Sequence, residues 1–454
     1  MTNVELYTTP FSNADQRDAF IVYRPLLGLA FVGNQAMADL ASSLVKDPTR
    51  PMDADVHAFL ENIGFLQPDP PLPELPAFGD FSPLGLTLLM TNQCQLRCTY
   101  CYAAAGESPP QHLSLETGCA AIDYTYENLE RLNYPKLHIS LHGAGEPTVR
   151  WRTMMDLVAY AKEKPIPTEF SLTSNGIWSK QQTQWIMAYI DFVGISIDGS
   201  PQTQDAQRPM ASGKASSRWV MRTLRELEEN QRPYRLRLTA MPPFDRLLED
   251  VRFLCENTNC QRMQVEAAFN PQRGGEYQYE LDVGQQFLQA FFAAQSLAEQ
   301  YGRQLWCVGS EVGKVTALPC GASFNALIVT PQSNLVACFE VVDNSHPLAE
   351  LATIGRITPQ GVAIDEEARL RLRQRIAERR ASCRDCFCYW SCAGGCLPRT
   401  LSPGPNGHLE YGVHCELKRM LLREMLLKRI AAGNGVGRHA VHLGRKPASA
   451  GSAH

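Results

Sequence analysis

No stretch of this 454-residue chain stays apolar over the roughly 18 residues that a membrane-spanning helix needs. The N-terminus, MTNVELYTTPFSNADQRD, lacks a basic segment followed by an apolar run, so no secretion signal is expected. Neither sign of charge is in excess, because 43 Lys and Arg face 47 Asp and Glu, which gives no support for nucleic-acid binding. These absences predict a cytoplasmic protein whose partners include neither membrane nor nucleic acid.

Cysteine, by contrast, is abundant, with 15 residues in the chain. Thiols stay reduced in the cytosol, so a framework of disulfides is not expected. Clustered cysteines in that compartment more often bind metal or carry out chemistry.

Composition divides the chain into successive segments. Residues 1–75 hold two short strand-like runs and two helical patterns, NQAMADLASSLV and DADVHAFLENIGFL. A Pro-rich run follows, whose end, 76–83, is predicted to be a linker. Residues 84–300 alternate strand-like and helical patterns, residues 301–432 are dense in cysteine, and residues 433–454 have the small, polar and basic composition of a disordered tail.

The alternation in 84–300 predicts an α/β fold, because repeated βα units form a parallel sheet or barrel. The site is then expected at the carboxyl ends of the strands, where several runs end in polar or Gly-rich turns. The candidate strands are LGLTLLMT, KLHISLHG, EFSLTSNG, FVGISIDG, YRLRLTAM and MQVEAAF.

Three of the cysteines lie within eight positions and follow the first candidate strand. Their spacing is Cys94-x3-Cys98-x2-Cys101, with Tyr100 before the last. This motif resembles that of the radical S-adenosylmethionine (SAM) family, in which three thiolates bind three irons of a [4Fe–4S] cluster. The resemblance implies that the fourth iron binds SAM, whose reductive cleavage yields a 5′-deoxyadenosyl radical. The alternative for these three cysteines is a zinc site or an incidental cluster.

Three further strand ends carry segments similar to those of the same family. HGAGEPT resembles its Gly-Gly-Glu-Pro segment, with Ala144 in place of one Gly; TSNG and SIDG resemble the turns that follow its third and fourth strands. The resemblance implies a partial (β/α)6 barrel. It also implies that SAM is held by Tyr100, Gly143, Gly145, Glu146, Pro147, Thr173, Ser174, Asn175, Ser196 and Asp198.

A second cysteine array lies towards the C-terminus and is similar to the SPASM extension of radical SAM peptide maturases, which holds two auxiliary [4Fe–4S] clusters. One departure is Ser333, which stands where that family often has Gly. The resemblance implies one cluster on Cys383, Cys386, Cys392 and Cys415, and another on Cys320, Cys338 and Cys396. The fourth iron of the latter cluster is expected either to bind Cys307 or to stay open to substrate. The alternative for the array is structural zinc.

Four cysteines lie outside these patterns. Cys388 falls inside the second array but off its spacing, so we interpret it as spare. The others, Cys119, Cys255 and Cys260, are interpreted as structural thiols.

Residues 16–70 resemble a RiPP recognition element, the small winged-helix module that binds the leaders of ribosomally made peptides. The resemblance implies a precursor peptide as substrate, captured by strand addition to a sheet edge. The alternative is a structural cap on the barrel.

The preferred function is therefore a radical SAM peptide maturase that uses three [4Fe–4S] clusters, SAM and an electron donor such as flavodoxin or ferredoxin. It would abstract hydrogen from a precursor residue and form a C–C or thioether cross-link. One alternative is a sulfatase-maturing type of oxidase that generates formylglycine. Such enzymes carry Asp directly after the second auxiliary-cluster cysteine, whereas this chain has Phe339. Another alternative is a non-catalytic iron–sulfur scaffold.

Overall fold

The computed structural model describes residues 4–11, 18–75, 78–268, 273, 281–321, 324–396, 398 and 413–443. The chain forms two compact units, which are described separately. The first unit takes its residues from Met1–Ala77, Gly309–Cys320 and Ile376–Lys446. The second unit takes its residues from Phe78–Val308, Gly321–Arg375 and Pro447–His454.

Strands and helices alternate through most of the described chain. The strands are β1 (Tyr7–Phe11), β2 (Ala19–Arg24), β3 (Leu29–Asn34), β4 (Gly85–Leu89), β5 (Leu137–His142), β6 (Thr168–Ser174), β7 (Phe192–Ser196), β8 (Arg235–Ala240), β9 (Arg262–Ala267), β10 (Gln304–Trp306), β11 (Lys314–Val315), β12 (Ala326–Val329), β13 (Asn334–Val336), β14 (Thr353–Thr358), β15 (Gly361–Ile364), β16 (Val436–Arg438) and β17 (His442–Leu443). The helices are α1 (Gln35–Lys46), α2 (Ala54–Asn62), α3 (Leu115–Arg131), α4 (Trp151–Lys162), α5 (Lys180–Tyr189), α6 (Pro201–Gln207), α7 (Ser217–Glu229), α8 (Leu247–Asn257), α9 (Leu281–Gln300), α10 (Ala349–Ala352), α11 (Glu366–Ala381), α12 (Tyr389–Cys392) and α13 (Val413–Ala432). No helix within the described residues is both long and apolar enough to span a membrane.

The second unit is built on one mixed sheet of eleven strands, in the order β10-β9-β8-β7-β6-β5-β4-β12-β13-β14-β15. The strands from β10 to β12 in that order are parallel, and β12 to β15 add antiparallel hairpins. All five residues of β4 are buried, as expected for a strand covered on both faces. The six strands predicted from the sequence are β4 to β9, and their order in the sheet follows the chain. Their carboxyl ends therefore meet at one edge, where the site lies.

The first unit is built on an antiparallel sheet of four strands, in the order β1-β2-β3-β16. Successive side chains of β2 alternate between its faces: Val22 packs with Leu44 and Leu60 of α1 and α2 on one face. Ile21 and the rest of the opposite face pack against α13, through Leu426 among others. The sheet is thus buried on both faces. The sequence predicted a separate domain for 1–75, whereas these residues share a core with the C-terminal segment.

Three local features differ from the sequence-based expectations. β1 was not predicted, because its sequence YTTPF contains Pro10, which weakens the pattern of a strand. β16 and β17 fall in 433–454, where a disordered tail was expected; they are strands because they complete sheets with β3 and β11, contacts that composition does not reveal. Residues 444–454 of that expected tail lie outside the described residues.

Candidate active site

The three-cysteine motif forms a loop that follows β4 and is held in shape by a side chain from within it. The guanidinium of Arg97 donates to the carbonyls of Cys94 at 2.7 Å, Leu96 at 2.9 Å and Gly106 at 3.1 Å. The guanidinium of Arg273 donates to the carbonyl of Cys98 at 2.7 Å. These bonds hold the backbone of the loop at both Cys94 and Cys98.

The thiols of the loop are close enough to influence one another. Burial, together with the charges of Glu146, Cys98 and Cys101, raises the pKa of Cys94 to about 12. Burial likewise raises the pKa of Cys98 to about 11, with Arg208 acting in the opposite direction. Thiolates at neutral pH therefore require a cationic partner, because metal binding is what deprotonates buried cysteines. The donor set fits an iron–sulfur cluster, which takes one thiolate for each iron.

No group of three or more Cys, His, Asp or Glu among the described residues converges to hold a single metal ion. This finding applies to iron as much as to zinc, so the zinc alternative and the iron–sulfur cluster both stay predictions.

The turn that follows β5 lies directly against the cysteine loop. The amides of Gly145 and Glu146 each donate at 2.8 Å, to the carbonyls of Thr91 and Gln93 respectively. A Cβ atom on Gly145 would lie 2.1 Å from the carbonyl oxygen of Gln93, and one on Gly143 would lie 1.9 Å from the carbonyl oxygen of Gly145. Glycine is therefore required at both positions by close backbone approach.

This contact predicts that Gly145→Ala lowers SAM cleavage by roughly 10- to 100-fold, because about 1–3 kcal/mol of backbone strain is imposed beside Cys94. Reductant-dependent 5′-deoxyadenosine, quantified by chromatography, measures the loss. The matched control is Ala144→Gly at the neighbouring buried position, which restores the family's Gly and should retain activity. Equal yields from the two variants would contradict the role of the turn.

Glu146 joins the turn after β5 to the turn after β6. One carboxylate oxygen accepts from the hydroxyls of Thr148 and Ser174, both at 2.7 Å, and the other accepts from the amide of Asn175 at 2.8 Å. Burial raises the pKa of Glu146, and these hydrogen bonds oppose the rise. The side-chain amide of Asn175 in turn lies 3.7 Å from the sulfur of Cys94. Glu146 therefore orients the segment that reaches the first cysteine.

Pro147 and Thr173 lie beside this network. Pro147 is buried and begins the short 3-10 helix Pro147–Arg150. Thr173 belongs to the carboxyl-terminal end of β6.

Asp198 lies after β7, whose last residue is Ser196, and connects that strand end to the cysteine loop. Its carboxylate accepts from the hydroxyl of Tyr100 at 2.6 Å and from the amide of Thr239 at 2.9 Å. The Arg208 Nε atom lies 3.0 Å from the same carboxylate, and the guanidinium stacks over the Tyr100 ring at 5.3 Å. Asp198 thus anchors the aromatic residue that precedes Cys101.

The sequence-based analysis missed Arg97, Arg208 and Arg273. Arg97 lies inside the motif, but its bonds run to backbone carbonyls that no spacing identifies. Arg208 and Arg273 reach the loop from far along the chain, so sequence periodicity carries no signal for them. Arg237 is a residue of β8 whose pKa is lowered by burial.

Four cysteines of the second array come together within the first unit. Burial raises the pKa of Cys392 to about 11, and the charges of Cys415, Cys383 and Cys386 contribute to the rise. The buried Arg379 donates to the sulfur of Cys415 at 2.9 Å. These are the four residues that the sequence assigned to one auxiliary cluster.

Cys388, interpreted as spare, lies next to this group. A hydrogen bond from its thiol lowers the pKa of Cys386 to about 5, and Arg419 acts in the same direction. The Cys388 thiol also lies 3.6 Å from the carbonyl of Lys418. Its position beside a ligand of the predicted cluster was not expected from the sequence.

The remaining predicted ligands are distributed over both units. Cys320, which is exposed, and Cys396 belong to the first unit, whereas Cys338 and the buried Cys307 belong to the second. Their joint cluster stays a prediction. Ser333, at the position where the resembled family carries Gly, has a φ of 65°, so Ser333 itself rather than Asn334 adopts the left-handed conformation of the turn.

Comparison with known proteins agrees with the geometry of the second unit. Residues 88–254 match the family model described as the radical SAM superfamily. This part of the chain is similar to that family, and it lies in a mixed α/β fold with a parallel sheet.

Curated relatives match parts of the chain. Mycofactocin maturase MftC from Mycolicibacterium smegmatis is 33% identical over 165 residues, which is 36% of this chain and 38% of the relative. The sporulation killing factor maturation protein SkfB from Bacillus subtilis is 26% identical over 198 residues, 42% of this chain and 43% of the relative. The chain therefore spans less than half the length of these relatives.

Two solved structures share the fold. Native anSMEcpe with bound AdoMet has a TM-score of 0.61 at 15% identity and covers 78% of this chain and 100% of its own. Streptococcus suis SuiB bound to precursor peptide SuiA has a TM-score of 0.51 at 13% identity and covers 91% of this chain and 99% of its own.

Proposed function

We propose that the protein is a radical SAM peptide maturase that modifies a ribosomally made precursor peptide. The observation that carries the proposal is a hydrogen-bond network. It joins the turns after β5, β6 and β7, through Glu146, Asn175 and Asp198, to Cys94 and Tyr100 of the three-thiol loop after β4. A fixed loop with three thiols is what a cluster with one open iron needs. The maturase names of MftC and SkfB support a peptide substrate.

Cys94, Cys98 and Cys101 would hold a [4Fe–4S] cluster, and the turns after β5, β6 and β7 would hold SAM. When bound, this pair supplies a 5′-deoxyadenosyl radical that abstracts a hydrogen atom from the peptide. The chain's own residues orient it: Arg97 fixes the loop, Glu146 fixes the turn at Asn175, and Asp198 fixes Tyr100. The protein thus supplies orientation, whereas the cofactor supplies the chemistry.

Two auxiliary [4Fe–4S] clusters would accept the electron that oxidative bond formation releases. One would bind Cys383, Cys386, Cys392 and Cys415. Several cations surround these thiols, including Arg379 at 2.9 Å from the Cys415 sulfur, and they would offset the negative charge of four thiolates. The other would bind Cys320, Cys338 and Cys396, with Cys307 or substrate at its fourth iron.

The four-stranded sheet with α1 and α2 would bind the leader of the precursor. An antiparallel sheet with a helical face supports strand addition, the mode by which extended peptides join sheet edges. A bound leader raises the effective concentration of the peptide's core at the radical site. The sheet would otherwise serve as a structural cap.

The expected product is a C–C or thioether cross-link. A flavodoxin or ferredoxin would supply the electron for the reductive cleavage of SAM. Formylglycine generation remains the second candidate by fold alone. Phe339 disfavours it, because that aromatic ring lies 5.4 Å from the ring of His142 where the resembled oxidases carry the Asp that acts as base.

Incubation of the reduced enzyme with SAM and a precursor from a neighbouring short reading frame tests the proposal. Mass spectrometry should show the loss of hydrogen that a cross-link requires.

Anaerobically reconstituted protein is expected to carry about twelve irons per chain, from three four-iron clusters. Cys392→Ala should lower the content towards about eight, because it removes one of the four thiols that would hold one auxiliary cluster. Iron analysis measures both values. Cys255→Ala, which removes a buried thiol of α8, is the control and should keep the full content. A wild-type content near four irons, with zinc present, would contradict the auxiliary clusters.

A further inference from the structure

The sheet of the first unit has one edge that the chain itself covers. β16 pairs antiparallel with β3, in the register Val436–Phe31, Gly437–Ala30 and Arg438–Leu29. The opposite edge is β1, where Pro10 has no N–H to donate to an added strand. The edge at β3 is therefore the better acceptor of an extended chain, and β16 already occupies it.

β16 is delivered to this edge by a tight reversal at the end of α13. The amide of Gly435 donates to the carbonyl of Ile430 at 2.9 Å, and Asn434 and Gly435 have φ values of 53° and 95°. The resulting strand is only three residues long, and Arg438 within it is exposed. A pairing this short is held by few bonds.

The segment that follows β16 contains a poorly satisfied side chain. The amide of His439 donates to the carbonyl of Gly28 at 3.0 Å, but both of its ring nitrogens are buried and have no hydrogen-bond partner among the residues that the structure describes. A buried polar group without a partner opposes the packed state. Release of the segment would return both nitrogens to water, so the covering strand carries a built-in cost.

We propose that β16 is a self-strand, which occupies the β3 edge until an extended segment of the substrate peptide displaces it. The inference rests on the proposed function for the identity of the displacing peptide. The substrate peptide would therefore have to compete with β16 for the β3 edge, which simple strand addition does not require.

The contacts of β16 define the chemistry of the peptide that would replace it. Val436 packs on the apolar cluster that includes Phe31 and Leu60, so an apolar residue is expected opposite Phe31. A Cβ atom on Gly437 would lie 3.1 Å from the backbone nitrogen of Ile430, so the next residue must be small. A groove of about 470 Å³ continues beyond it and is lined by Leu27, Leu29, Ile63, Gly64 and Gln67, with Arg438–Ala440 at its side.

Binding of a labelled synthetic peptide tests the inference without any radical chemistry. The probe is GNGVGRHAVHL, the sequence of 433–443, and the matched peptide GNGDGRHAVHL places Asp where Val436 stands. Fluorescence anisotropy should show weak binding of the probe to the full chain. Gly437→Val, which crowds Ile430 and releases the strand, should bind the probe at least about tenfold more tightly. Neither form should bind the Asp peptide.

A second variant acts in the opposite direction. His439→Leu removes the two unpartnered nitrogens, so the self-strand should hold more firmly and the probe should bind roughly tenfold more weakly than to the wild-type chain. Glu424→Gln, on an exposed position of α13, is the control and should bind as the wild-type chain does. Equal affinity of all forms for the probe, or equal binding of the two peptides, would overturn the self-strand.

The identity of the displacing peptide is tested by competition. The precursor used in the mass-spectrometric assay should displace the labelled probe from Gly437→Val. Binding of the precursor without displacement would overturn its assignment to this edge. Absence of 5′-deoxyadenosine from the wild-type chain would instead refute the proposed radical chemistry, which the anisotropy readout does not involve.

Discussion

Replacement of Cys98 by alanine is expected to lower SAM cleavage at least about 100-fold. Cys98 is one of only three thiols in the loop, and its carbonyl is held by Arg273 at 2.7 Å. A cluster that already lacks a fourth protein ligand has none to spare, so the loss of a thiolate removes both iron affinity and the placement of the open iron. The measurement is 5′-deoxyadenosine formed per chain in the presence of reductant.

The control for this variant is Cys119→Ala. Cys119 is a half-buried residue of α3 and lies outside every motif, so its replacement should leave the yield unchanged. Wild-type yields from Cys98→Ala would refute the assignment of the loop. An iron content near eight with no cleavage would support it, because the auxiliary clusters would then persist without the catalytic one.

The parallel strands of the second unit could largely be predicted from the sequence because their signals are local. Each strand from β4 to β9 is a short apolar run bounded by polar or Gly-rich residues, and the functional turns follow directly in the chain. Gly145 illustrates why such turns can be recognised in a sequence: the close approach of the Gln93 carbonyl leaves no room for a Cβ atom. A steric constraint of this kind permits only glycine, so the residue type itself indicates the turn.

The supporting residues could not be predicted, because their contacts join distant parts of the chain. Arg208 stacks on Tyr100 across about a hundred positions of sequence and also pairs with the nearby Asp198, and no motif in its own neighbourhood marks it. The contact of Glu146 with SAM stays a prediction, and the structure adds hydrogen bonds from Thr148, Ser174 and Asn175 to its carboxylate. Its visible role is to position the turn at Asn175.

The first unit differs most from the sequence-based view, since its core is assembled from both ends of the chain. Leu422, Leu426 and Ile430 of α13 pack on β2 and β3, and Cys388 lies in the same cluster. Hydrophobic patterns identify each element as amphipathic but do not name its partner. The four-stranded sheet and the loop that carries Cys386, Cys388 and Cys392 share this core, so they are expected to lose stability together.

A chain that begins at Pro76 is accordingly expected to lose the folded first unit and, with it, about four of its irons. Deletion of β1 to β3 would expose Leu422, Leu426 and Ile430, each at about 1.5–3 kcal/mol. The sum approaches the roughly 5–15 kcal/mol by which a whole domain is stable. Iron analysis and size-exclusion chromatography should show a depleted, aggregating protein. A soluble truncated chain with the full iron content would show instead that the N-terminal residues are a detachable cap.

A point variant examines the same dependence in a chain of full length. Glu5 is 2% exposed, and its carboxylate accepts from the indole of Trp390 at 2.9 Å and from the guanidinium of Arg384 at 2.8 Å, beside Cys383. Glu5→Gln removes the charge from these bonds and should lower the free energy of unfolding of this unit by about 2 kcal/mol. Glu61→Gln, whose side chain is 71% exposed on α2, is the matched control and should change it little. Chemical denaturation, followed through the visible absorption of the clusters, measures the difference. If the two variants released iron at the same denaturant concentration, the N-terminal residues would not support the loop that carries Cys383.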